Sequence, residues 1–168
     1  CTMHSSIRNR HNFNSLMEVS TMNDYTKAYI DFNRKLIKEE FPWFDYHEFS
    51  EYGAMFTGEI WDSDRSKKAI LRIVCDNGFP DSKPNLSIAE PKILHRFEGC
   101  PLNLLGLSHD FHCLEANEVG EVRICHTASW DASITLLEPI SKAYLWWNAY
   151  VLHLQTGKSI DSYFNPED

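Results

Sequence analysis

Val122-Arg-Ile-Cys-His-Thr-Ala-Ser-Trp-Asp131 sets a cysteine at the end of a short run of β-type residues, with a tryptophan just beyond it. The segment after Asp131 is so rich in apolar residues that it reads as a largely buried helix. A thiol at a strand end, backed by a rigid helix, is held by the scaffold yet open to a partner. That pattern alone selects no function; the chain on either side of it does.

Downstream, the helix opens near Glu138-Pro139, since proline is tolerated in the first turn, and stops at Thr156-Gly157. Ile140, Tyr144, Trp147, Val151 and Leu154 make its main apolar stripe, and Leu145, Trp146, Ala149 and Leu152 leave little of it to face water. Aromatic residues so placed read as core rather than as ligand contacts.

Upstream, Phe111-His-Cys-Leu114 is expected to pair with Val122-Arg-Ile-Cys125 across an Asn117–Gly120 turn. Phe97 to His109 has no clean period and contains Gly99, Pro101 and Gly106, which predicts a long loop. Before it, Tyr52–Trp61 and Lys68–Cys75 alternate with period 2 around a polar turn, forming a hairpin, and Leu86-Ser-Ile88 begins a third strand. Asn23-Asp24 caps a first helix that ends at Phe41-Pro42, with Tyr25, Tyr29, Phe32 and Leu36, and Ala28, Ile37 and Phe41 beside them, on its apolar face. One helix, an antiparallel meander, a loop and a long C-terminal helix make an α+β fold.

With 168 residues, the chain is long enough for one domain with a real core. Residues 1–22 read as a flexible polar tail whose start is processed or truncated, and 23–168 as a single domain. A net charge of −8 argues against a nucleic-acid partner, and no apolar run is long enough to span a membrane. Five cysteines at irregular spacing, with no secretion signal before them, are expected as reduced thiols in a cytoplasmic protein.

Four segments carry a resemblance. Phe79-Pro-Asp-Ser-Lys-Pro-Asn-Leu-Ser-Ile88 is similar to the Tyr-Pro-x-x-x-Pro-x-Val-x-Phe run of ubiquitin-conjugating enzymes. Lys92-Ile-Leu-His95 resembles the Lys-Ile-Tyr-His that leads into that family's His-Pro-Asn motif, and Ile124-Cys125 resembles its active-site Ile-Cys. Trp130-Asp-Ala-Ser-Ile-Thr-Leu136 resembles the Trp-Ser-Pro-Ala-Leu-Thr-Ile that opens its second helix. The likeness covers roughly residues 23–157, and its strength lies in the order of the segments rather than in any single one. Arg96 and Phe97 stand where the family has Pro and Asn, an insertion precedes Cys125, and the Cys125-to-Trp130 interval is short. Such departures resemble divergent bacterial relatives found in antiphage defence operons.

The resemblance implies a ubiquitin-conjugating-like fold and a transferase without metal or other cofactor. Cys125 would receive a ubiquitin-like protein, or a target protein's C-terminus, as a thioester from an activating enzyme. It would then yield that group to an amine. The first helix, through Lys27, Arg34 and Lys38, would meet the activating enzyme; the residues alone read equally well as a solvated charged face. For the oxyanion, Asn117 is one candidate, though Asn before a Gly turn commonly just shapes it. His126 is a second, but neighbours on a strand point to opposite sides. His95, by the family pattern, would hydrogen-bond its loop. Asp131 reads as a helix cap or as a group orienting the amine.

Rival readings use the same residues. Zinc ligation by His109, His112, Cys113, Cys125 and His126 suffers from the absence of Cys-x-x-Cys. A cysteine hydrolase with His95 or His112 as base lacks a recognised nucleophile signature. The runner-up is a catalytically silent relative that only binds ubiquitin-like partners: a carrier cysteine must be open to solvent, whereas a relic can be buried.

Overall fold

The computed structural model describes residues 22–49 and 53–165; the expected tail, apart from Met22, lies outside them. The described chain is α+β. Helix α1 (Asp24–Glu40) precedes strands β1 (Asp45–Phe49), β2 (Gly53–Trp61), β3 (Lys68–Cys75) and β4 (Asn85–Glu90). After a 3-10 turn at Leu102–Leu104 come β5 (Cys113–Leu114), β6 (Arg123–Ile124), α2 (Leu137–Thr156) and the short α3 (Asp161–Phe164). All neighbouring strands run antiparallel in one sheet ordered β1-β2-β3-β4-β6-β5.

The central hairpin follows the period-2 pattern of its sequence. Ala54, Phe56, Gly58 and Ile60 on β2 and Ala69, Leu71, Ile73 and Cys75 on β3 are buried, while the residues between them stay partly open. β1 was not expected, because Asp45-Tyr-His-Glu-Phe49 is largely exposed and carries no alternating apolar signal. Its backbone pairing to β2, from Asp45 opposite Thr57 to Phe49 opposite Gly53, makes it a strand.

Helix α1 begins where expected, with the Asn23 side chain accepting the Thr26 N–H at 2.8 Å. Its buried face differs from the aromatic one the pattern suggests. Thr26, Ile30, Asn33 and Ile37 face the core, while Tyr25 and Phe32 remain 50% and 53% exposed. The reason is polar. Thr26 donates to the Asn77 carbonyl, and Asn33 accepts the Leu136 N–H at 2.7 Å while donating to the Tyr29 carbonyl. That bond serves the start of α2, which has no side-chain cap of its own. A buried polar residue that satisfies a distant backbone group is invisible to apolar periodicity.

α2 occupies the expected span and ends on Gly157 in the left-handed conformation, φ 75°. It does keep one wet stripe: Leu145 and Leu152 are exposed. Its buried residues hold the loops by their polar tips. Trp146 Nε1 donates to the Phe111 carbonyl at 2.8 Å, Trp147 Nε1 to Lys67 at 3.2 Å, and the Tyr150 hydroxyl to His95 at 2.9 Å. His153 accepts the Phe97 N–H through Nε2 at 3.0 Å, and its Nδ1 bonds the Lys158 carbonyl at 2.7 Å.

Trp146→Phe keeps an aromatic ring but leaves the Phe111 carbonyl unpaired. It is expected to cost about 1–3 kcal/mol in a urea titration, the range for one buried orphaned polar group. A midpoint equal to wild type would remove the anchoring role of Trp146.

Candidate functional site

Cys125 emerges at one end of the sheet. Arg123 on β6 lies opposite Ser87 on β4, and the two strands run in opposite directions, so the chain past Ile124 heads for the Pro84–Asn85 end of β4. Ile124 and His126 are both buried, so strand alternation turns Cys125 the other way, where its free thiol is half-buried. The Cys125 N–H donates to the His112 carbonyl at 2.9 Å. The loop after it is tied to the turn before β4: His126 Nε2 donates to the Pro84 carbonyl at 2.9 Å, and Lys83 Nζ to that of Thr127 at 3.0 Å. Trp130 Nε1 reaches the Pro80 carbonyl at 2.7 Å, with its ring against Phe79 and His126.

Across from the cysteine stands a polar pair. β5 and β6 match Cys113 with Ile124 and Leu114 with Arg123, so the next opposed residues are His112 and Cys125. His112 has φ 45°, a left-handed backbone that turns the chain out of the strand. Its ring packs edge-on against Phe164, and its Nε2 lies 2.6 Å from Asp161 Oδ1. The Asp161 carboxyl is held below its ordinary range, first by this bond and then by the one from Asn165. His109 stands further off, with Nδ1 4.0 Å from the same oxygen. α3 is itself fixed to this turn, because the Asp161 N–H donates to the Asp110 carbonyl at 2.9 Å.

The other sequence-derived candidates lie elsewhere. Asn117 accepts the Glu121 N–H at 2.9 Å and donates Nδ2 to Glu121 Oε2 at 3.0 Å, so its amide is committed to the hairpin turn. Glu121 is four residues from Cys125, about 13 Å of extended chain, so Asn117 sits at the far end of the hairpin from the sulfur. His95 follows β4 at its other end, roughly 20 Å of strand away; its carbonyl bonds Tyr150 and its ring is exposed. His126 adjoins Cys125 in sequence but is buried on the opposite side. Asp131 caps no helix: its carboxylate takes the Ser133 N–H at 2.7 Å and the Ser133 hydroxyl, ahead of α2.

On α1, Lys27 pairs with Asp31 at 2.7 Å and Glu48 at 3.4 Å, and Arg34 lies 4.2 Å over the Tyr46 ring. Lys38 lines a shallow groove with Arg34, Pro42 and Tyr46. The basic stripe therefore runs along β1, with two of its three cations already engaged.

Two features were not legible in the chain. One is the buried Glu121, which receives Arg72, the Ser87 hydroxyl at 2.7 Å and Asn117, and so fastens the hairpin to the outer face of β3 and β4. The other is Asp161, whose partner His112 lies on the far side of the whole of α2 in sequence. His109-x-x-His112 was the available signal for the second; nothing local announces the first. Among the described residues, no group of three or more His, Cys, Asp or Glu is placed to hold a metal ion, and no helix is long and apolar enough to cross a membrane. No family model, curated protein or solved structure matches the chain.

Thiol accessibility is directly measurable. Burial pushes the Cys113 thiol up to about 11 and raises that of Cys75, whereas Cys100 is exposed and Cys125 partly so. Native alkylation followed by peptide mass mapping is expected to label Cys100 and Cys125 and to spare Cys75 and Cys113. An unlabelled Cys125 would contradict the half-open site.

His126 supplies a pH dependence. Burial holds its ring below the ordinary 6.5, outweighing the bond to Pro84. Below 6.5 the unfolded chain binds the proton more readily than the folded one, so stability rises with pH through that window and is lost as pH falls. His126→Gln retains a donor toward Pro84 without titrating. Its unfolding free energy should fall less steeply than wild type on acidification below 6.5, and equal slopes would contradict this.

Proposed function

We propose that this chain is a ubiquitin-conjugating-like acyl carrier: Cys125 holds a ubiquitin-like protein, or a conjugated protein's C-terminus, as a thioester and passes it to an amine. The observation that carries this reading is the half-open thiol at the end of β6, on a backbone clamped by His112 on one side and Pro84 on the other. A carrier sulfur needs access for a bulky donor and a fixed position for the attack that follows. The order of helix, antiparallel sheet, cysteine loop and buried helix supports a ubiquitin-conjugating-like assignment of the fold. The segments that resemble the family also cooperate in space, since Pro80, Pro84 and Trp130 brace the cysteine loop together.

In this reading the partners are an activating enzyme that supplies the thioester and an amine-bearing acceptor, with a place in bacterial antiphage defence and a cytoplasmic site of action. Asn117 and Glu121 shape the hairpin, His126 and Trp130 pack the loop, and His95 serves the opposite end of the sheet through its backbone.

A second reading, a cysteine hydrolase, is favoured by one observation: a His112–Asp161 pair on the residue whose carbonyl receives the Cys125 N–H. The two differ in where the acyl group goes, to an amine or to water.

The test is a non-reducing gel after incubation with ATP, candidate ubiquitin-like modifier and an activating enzyme encoded alongside this chain. A thiol-sensitive adduct is expected, absent in Cys125→Ala. An adduct that persists in Cys125→Ala would dismiss the carrier role.

A further inference from the structure

Resting on the carrier reading of Cys125, we propose that His112, oriented by Asp161, is the proton acceptor for the amine that discharges the acyl group. Opposed residues of a hydrogen-bonded antiparallel pair have Cα atoms about 5.5 Å apart. The Cys125 N–H to His112 carbonyl bond therefore puts the imidazole at the same end of the hairpin as the sulfur. Its left-handed backbone swings the ring toward α3, where Asp161 meets Nε2 at 2.6 Å.

That bond decides the role. The Asp161 carboxyl, held below its ordinary range, is an acceptor, so in the neutral form of the ring Nε2 carries the hydrogen and Nδ1 keeps its lone pair. Among the described residues Nδ1 has no hydrogen-bond partner, and the side chain is 24% exposed, within reach of an incoming molecule. A neutral imidazole in this tautomer offers an acceptor at its open nitrogen, so it suits taking a proton better than donating to an oxyanion. The titratable groups beside the ring are Asp161 from α3 and His109 from the same turn, Cys125 meets His112 through its backbone, and the Asp110 backbone ties α3 in place.

In the step itself, the amine nitrogen attacks the thioester carbonyl carbon. The C–N bond forms, the amine proton passes to His112 Nδ1, the C–S bond breaks and the sulfur leaves as thiolate. The imidazolium formed is stabilised by Asp161 and returns the proton to the Cys125 sulfur, restoring both groups. A positioned base of this kind is worth ~10²–10⁴ in rate.

The experiment needs no activating enzyme. A synthetic peptide ending in Gly-Gly and activated as an alkyl thioester is the acyl donor, and free lysine is the acceptor. Intact-mass spectrometry follows acylation and discharge in Cys100→Ser chains, with peptide mapping to assign the site. In His112→Gln the acyl group on Cys125 is expected to discharge to lysine about 10²-fold more slowly near neutral pH. The rate should then climb more steeply with pH than in wild type, because the amine itself must deprotonate before it attacks. Asp161→Asn should show a smaller loss of the same kind.

Circular dichroism and melting verify that each variant is folded; if one is not, the other decides. Discharge at the wild-type rate with an unchanged pH profile in the folded variants overturns the base assignment and leaves the carrier reading standing. A chain that takes no acyl group on Cys125 from the thioester, in any variant, overturns both.

Discussion

Helix α2 governs this molecule through the polar atoms at the tips of its buried side chains. The apolar bodies of Trp146, Trp147 and Tyr150 fill the space under the sheet, and each tip donates to a carbonyl of a different loop. His153 adds a bond in each direction, to Phe97 and to Lys158. One rigid element thereby locates four connections, at Lys67, at His95 and Phe97, at Phe111 and at Lys158. Burying a loop carbonyl without a partner would cost more than a hydrogen bond normally contributes, so each tip is needed where it is.

The consequence for the site is a short mechanical chain. Trp146 fixes Phe111, the residue before His112, and His112 carries the carbonyl that receives the Cys125 N–H. The continuation of α2 through Ile160, which is fully buried, delivers Asp161 to the same imidazole. Imidazole and carboxylate thus arrive from the turn before β5 and from α3, and the Cys125 backbone joins them from the end of β6, with α2 as common support. A second clamp works from the outer face. There Glu121, almost fully buried, is neutralised by Arg72 and bonded by Ser87 and Asn117, so the hairpin bearing Cys125 cannot lift from β3 and β4. A buried carboxylate is tolerable only with such partners, and removing Arg72 would leave its charge stranded.

The acceptor side of the proposed chemistry follows from the same geometry. A thioester on Cys125 would lie on an edge hairpin, open on the side away from Ile124 and His126, with the partly exposed His112 and Asp161 at the same end. Proton transfer there depends on which imidazole nitrogen is free, and the carboxylate on α3 sets that. The oxyanion candidates suggested by spacing alone are spent on structure: the Asn117 amide closes a turn and the His126 ring closes the cysteine loop.

What the amino-acid order determined by itself is the set of elements whose signals are local. The period-2 runs of β2 and β3, the Asn23 cap, the Gly157 stop and the apolar mass of α2 each place an element to within a residue or two, because caps, turns and alternation act over a few neighbours. The place of Cys125 at a strand end belongs to this class too. Tertiary structure alone decided everything that needs two distant segments to meet. It turned α1 onto its Thr26–Asn33 face because Asn33 must serve Leu136, and it made a strand of the polar β1 by backbone pairing. It gathered Arg72, Ser87 and Glu121 into one buried cluster and brought Asp161 to His112 across the length of α2. No pattern along the chain encodes those meetings, since a hydrogen bond between residues tens of positions apart exists only once the sheet and α2 have packed.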